Sequence, residues 1–158
     1  MTVVAFTGHR PNKIGGYDNY VLHSRIREAI IDKLRDRPIS RAICGMALGV
    51  DQLAFEACLM CSVPVVAAIP FAGQEARWPE HAQAYYRNLL WRASNVTVVS
   101  LGGYSAHKMQ VRNEWMVDRA HELWAVWNGT SGGTANCIGY CRRKGKPVHN
   151  LWDPRWFE

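Results

Sequence analysis

Four short segments of this 158-residue chain carry the residue types that hold anions or move protons. Thr7-Gly8-His9-Arg10 joins a small turn, open to close approach by a ligand, with a forked guanidinium donor suited to phosphate or carboxylate. Gly45-Met46-Ala47-Leu48-Gly49-Val50-Asp51 puts glycines at both ends of a turn that opens a helix, a natural anion site. Arg112-Asn113 precedes the apolar Trp115-Met116-Val117 and faces either a ligand crevice or solvent. Asn128 to Thr134 carries three glycines and three hydroxyls just before a helix, the composition of a phosphate cradle.

The titratable groups in these segments leave several roles open. His9 serves as a general acid, as an orienting hydrogen-bond partner or as a packed loop residue. Asp51 repels phosphate, so it caps its helix, holds Arg10 or accepts from a ribose hydroxyl. Glu56 stands in an otherwise apolar helix, either exposed at the rim or paired there. The catalytic candidates are therefore His9, Asp51 and Glu56. The expected ligand contacts are Thr7, Gly8, Arg10, Gly45, Gly49, Asp51, Arg112, Asn113, Gly132, Gly133 and Thr134. Trp78 and Tyr104 lie in loops on the expected ligand side, where either can stack on a base.

Other chemistries find less support. Cys58-x2-Cys61 and Cys137-x3-Cys141 fall inside helical patterns without the knuckle turns of a zinc ribbon, so no metal is expected. The five cysteines read as reduced, buried thiols, not a disulfide framework. No Ser-His-Asp or HExxH arrangement is present.

The elements that must position these segments alternate regularly. Apolar strand runs are expected at Val3–Phe6, Ile39–Cys44, Val63–Pro70, Val96–Val99, Leu123–Trp127 and Pro147–Leu151. Helical periodicity runs between them, over Asn19–Arg37, Ala54–Cys61, Glu80–Ala93, Met109–Ala120 and Ala135–Lys144. Strand and helix in alternation predict an α/β, Rossmann-like fold: an open, mostly parallel sheet with helices on both faces. In such a sheet ligands sit at the carboxyl ends of the strands, which is where all four segments fall. The C-terminal Leu151–Phe157 is too apolar for a free tail and is expected to pack on the domain or on a neighbouring subunit.

Composition bounds the partners. A hydrophobic fraction of 48% against 20% charged excludes a disordered polypeptide. No apolar run reaches membrane-spanning length and the N-terminus lacks the features of a signal peptide, so a single cytoplasmic domain over residues 1–158 is expected. The net charge of +6 favours anionic partners. Its one compact basic run is Arg142, Arg143, Lys144 and Lys146.

Thr7-Gly-His-Arg-Pro-Asn-Lys-Ile-Gly-Gly-Tyr17, Gly45-Met-Ala-Leu-Gly-Val-Asp51, Arg112-Asn-x-Trp-Met-Val-Asp118 and Gly132-Gly-Thr134 together resemble the SLOG superfamily. The resemblance covers nearly the whole chain and is nearest to small stand-alone YpsA-like bacterial and phage members. The superfamily unites the DNA-processing protein DprA with the LOG phosphoribohydrolases. The resemblance implies a Rossmann-like fold with a nucleotide or nucleotide-derived ligand held across the two glycine-rich turns; a homo-oligomer (dimer or tetramer) is expected, with no cofactor required. In LOG enzymes a glutamate follows the glycine-rich loop on its helix, whereas Cys137 stands three positions beyond Thr134 here. The leading expectation is thus a nucleotide-binding sensor or carrier. An N-glycoside hydrolase acting on a nucleoside monophosphate or ADP-ribose-like substrate is the alternative. Single-stranded nucleic-acid binding through the basic run is a third reading.

Overall fold

The computed structural model describes all 158 residues. Six strands and five helices alternate: β1 (Val3–Gly8), α1 (Tyr20–Asp36), β2 (Arg41–Cys44), α2 (Val50–Met60), β3 (Val65–Ile69), α3 (Glu80–Trp91), β4 (Asn95–Val98), α4 (Ala106–Asp118), β5 (Glu122–Val126), α5 (Gly133–Arg143) and β6 (Val148–Asn150). Short 3₁₀ turns follow β1, at Pro11–Lys13, and close the chain, at Pro154–Phe157. Every strand pair is parallel, in the order β4-β3-β2-β1-β5-β6. The chain steps outward from β1 to β4, then returns to lay β5 on the other side of β1. This reversal puts the topological switch point between β1 and β5.

The apolar strands are buried on both faces because each face carries its own helical layer. Val4 and Phe6 of β1 point to one side with Ala42, Cys44, Val65, Ala67 and Ile69, where they meet Ile26 and Ile30 of α1, Phe55 of α2 and Leu89 of α3. Ala5, Ile43, Ala68, Leu123 and Ala125 point the other way, against Met116 and Val117 of α4 and Cys137, Ile138 and Cys141 of α5. Each large apolar side chain fully buried this way contributes about 1.5–3 kcal/mol. Trp124 is the bulkiest of them; its ring meets Phe6 edge-on at 5.6 Å and its Nε1 donates to Glu122 at 2.7 Å. The two cysteine pairs lie on opposite faces of the sheet, Cys58 in one layer and Cys137 and Cys141 in the other.

The expected elements are all present, with displaced ends. α2 begins at Val50, four residues before Ala54, because Gly49 turns the chain at φ +99° and the Val50 amide then donates to the His9 carbonyl. α4 begins at Ala106 and ends at Asp118, where Lys146 donates to the carbonyls of Val117, Asp118 and Ala120. Ile39, read as strand, precedes β2, and Gly133 already belongs to α5. The C-terminal segment packs on this domain. Trp152 stacks with Phe157 and meets Trp156 edge-on, and Arg25 of α1 donates to the Trp156 carbonyl at 2.9 Å. No helix is long and apolar enough to cross a membrane.

Candidate functional site

A cleft of about 270 Å³ opens at the carboxyl ends of β1 and β5, at the switch point. Ten of the residues expected from the sequence line it: Thr7, Gly8, His9, Arg10, Asp51, Arg112, Asn113, Gly132, Gly133 and Thr134. They come from four distant segments because β1, α2, α4 and α5 converge there. Gly45, Gly49 and Glu56 do not line it.

One wall is the start of α5. Gly132 sits at φ +140°, and the helix follows with no side-chain cap. Its first chain-internal amide bond is Asn136 N–H to the Gly132 carbonyl, so the amides of Gly133 and Thr134 find no acceptor within the chain. Such amides, with the helix dipole behind them, favour an anion. Lys13 reaches over from the first 3₁₀ turn, donating to Thr130 Oγ1 at 2.7 Å and to the Ser131 carbonyl at 3.3 Å. Nothing in the sequence around Lys13 marks it; its place at the cleft comes only from this contact across 117 residues. Arg10 stands exposed at the rim.

The opposite wall is buried and already bonded. Asp51, in the first turn of α2, accepts from the Ala47 amide at 3.1 Å. Burial pushes its carboxyl above the usual carboxylate range, and the Arg112 guanidinium, the Ala47 amide and Arg10 pull it back. Arg112, open between crevice and solvent in the sequence, is buried beneath the Gly45 turn. It donates to the Gly45 carbonyl at 2.6 Å, to the Ala68 carbonyl at 3.2 Å and to Asn113 Oδ1 at 3.0 Å. It thus ties the ends of β2 and β3 together and supplies a fixed positive charge at the cleft floor. Cys137, at the position where the LOG pattern has glutamate, is buried, with its thiol pushed up to about 12. It is not poised as a nucleophile.

His9 Nε2 lies 2.9 Å from Asn128 Oδ1 and 3.0 Å from the Asn128 amide, and the ring meets Trp152 edge-on at 5.8 Å. Burial lowers its pKa below the ordinary imidazole value, with Lys13 acting in the same direction and the Asn128 bond opposing. The two Asn128 contacts orient the ring, and the lowered pKa leaves less of it in the imidazolium form that a general acid needs.

The remaining expected residues lie elsewhere. Glu56 pairs with Arg27 at 2.9 Å and accepts from the Tyr85 hydroxyl, on the α1–α2–α3 side of the sheet. Trp78 packs against Tyr86 with ring centroids 5.1 Å apart, and Tyr104 meets Phe71 edge-on. Neither lines the cleft; Phe6, Ala47, Met109 and Met116 supply its apolar lining. The basic run occupies the far end of α5, one helix length, roughly 16 Å, from the cleft. Lys146 is engaged in capping α4 there, and Lys144 lies over the Tyr140 ring.

The sequence and the fold are similar to those of known proteins. A family model, that of the YspA SLOG family, matches residues 4–144. The chain belongs to that family. Among relatives of the YspA SLOG chain, the uncharacterized SPbeta prophage-derived protein YoqJ of Bacillus subtilis (strain 168) is 31% identical over 128 residues, 71% of this chain and 74% of that protein. Among solved structures, DprA from Streptococcus pneumoniae superposes with TM-score 0.68 at 16% identity, covering 93% of this chain; the chain spans about half of that protein, 49%. The molybdenum cofactor carrier protein of Chlamydomonas reinhardtii superposes with TM-score 0.60 at 15% identity, covering 98% of this chain and 79% of that one. At such identities these structures establish the Rossmann-like fold.

Proposed function

We propose that the cleft binds the phosphate of a nucleotide or nucleotide-derived ligand, and that the protein acts as a sensor or carrier. The observation that carries this reading is the start of α5, where the Gly133 and Thr134 amides lack internal acceptors beside Lys13 and Arg10. Three cations, Arg10, Lys13 and Arg112, line the cleft against one carboxylate, Asp51. Phosphate takes the amides and the rim cations, and a ribose hydroxyl donates to Asp51. That a fold neighbour carries the molybdenum cofactor supports the carrier reading by analogy only.

The test is thermal unfolding against AMP, ADP, ATP, NAD, ADP-ribose and cyclic nucleotides. A true ligand at a hundredfold above its Kd adds about 2.7 kcal/mol of stability. Arg10→Ala and Lys13→Ala each weaken it about tenfold, and added salt weakens it further. A flat response to the whole panel refutes the reading.

One observation favours a second reading, N-glycoside hydrolysis: Asp51 is a buried carboxylate in the same cleft as the anion-binding amides, where it can stabilise an oxocarbenium-like ribose. Release of free base from a nucleoside monophosphate, abolished by Asp51→Asn, is its signature; no release over long incubation removes it.

A further inference from the structure

A second cavity, of about 400 Å³, lies between the N-terminal half of α1, the start of α2 and the first turns of α3. It stands back to back with the first cleft. Pro11, Leu48 and Gly49 line it, whereas their neighbours Arg10, Asn12 and Ala47 line the other, and no residue is common to both.

Its chemistry differs from that of the phosphate cleft. The one guanidinium in its lining, Arg27, is already paired with Glu56, which also accepts from the Tyr85 hydroxyl. No lysine is present; besides Arg27 the only basic side chains are two histidines, His23, whose Nε2 lies 3.1 Å from the Ile14 carbonyl, and the exposed His81, so no permanent unpaired cation faces the cavity. Tyr17, Tyr20 and Tyr85 instead leave 43–71% of their surface exposed. Gln52 lines the same cavity; it is 8% exposed and its Nε2 is buried with no hydrogen-bond partner. A buried amide without a partner is a standing cost in the empty fold, and groups of this kind mark sites completed by something else. An amide also presents a donor and an acceptor side by side, which matches the edge of a base, and tyrosine rings offer faces on which a base stacks.

We propose that this second cavity binds an uncharged nucleobase or nucleoside, with the ring against the tyrosines and its polar edge on Gln52. The proposal does not depend on phosphate binding in the first cleft. Isothermal titration of the intact chain with adenosine, guanosine, cytidine and uridine tests it. At least one nucleoside binds saturably at one site per chain. Gln52→Leu weakens that binding about tenfold, the loss expected for one hydrogen bond to a buried group. Tyr85→Ala, at a half-exposed position that tolerates truncation, weakens it similarly and serves if the Leu variant folds poorly. Arg10→Ala leaves it unchanged. The proposal is overturned if no nucleoside titrates, if both cavity variants bind as the parent does, or if Arg10→Ala abolishes binding and so places the ring in the first cleft.

Discussion

The two glycine-rich turns look alike in the sequence, and the folded protein treats them in opposite ways. The turn before α2 is closed by the protein itself: the His9 carbonyl takes the Val50 amide, Asp51 takes the Ala47 amide, and Arg112 fills the space beneath Gly45. The turn before α5 is open, with its first amides unclaimed and Lys13 poised beside them. A glycine ahead of a helix therefore signals close approach by some group. Whether that group is a ligand or the chain's own backbone depends on residues far away in sequence.

The sharpest way to break this contrast is to add a methyl group to each turn. At Gly49 it would lie 2.4 Å from the His9 carbonyl oxygen at a φ that side chains avoid, so Gly49→Ala costs about 3 kcal/mol in urea denaturation. At Gly133 it meets nothing within 4 Å, and Gly133→Ala stays within about 0.5 kcal/mol of the parent. Equal losses at the two positions would erase the distinction. Next in size is Arg112→Met, which strands the Gly45 and Ala68 carbonyls and lowers stability by about 2 kcal/mol in the same assay.

The smallest effect concerns pH. Burial raises the Asp51 carboxyl in the folded state, so its contribution is fully present below the unfolded value, about 3.9, and is lost as pH rises through the folded one. Asp51→Asn keeps an acceptor for Ala47 and removes that loss. It is as stable as the parent or slightly more so at pH 7, and its advantage shrinks as the pH falls. A variant that loses stability at neutral pH would show that the closed turn needs the charge.

Much of the fold was legible because it rests on local pattern. The β-branched runs and the 3.6-residue periodicities alone order six strands and five helices. The site was legible as a set of segments, since ligands in parallel sheets gather where strands end. The start of α2 is not legible locally, because it depends on the carbonyl of His9, far away in sequence. Lys13 was passed over because nothing in its neighbours points to Thr130. Arg112 could not be assigned, since an arginine at the start of an apolar helical stretch looks the same whether it reaches inward to carbonyls or outward to water. Gly49 and Glu56 line the other cavity for a related reason: sequence gives the turn and the helix, but not which side of the sheet each residue serves, while the space beside Gly45 is filled by Arg112.

The parallel topology also imposes an order on assembly. β1 is the first strand synthesised, yet one of its two neighbours, β5, follows more than a hundred residues later, with Val4 opposite Glu122. Until that late strand arrives, β1 has one free edge, and neither the Asn128 partner of His9 nor the α5 amides exist beside it. Contacts of such long sequence separation close slowly, because a large loop must be restrained before they form. A growing chain that ends before β5 holds the fold's apolar layers in part, with Arg10, Lys13 and Arg112, but not the α5 turn that forms the facing wall of the cleft. The cleft is therefore a property of the nearly finished sheet, and the phosphate we propose for it would bridge the first strand and the last helix.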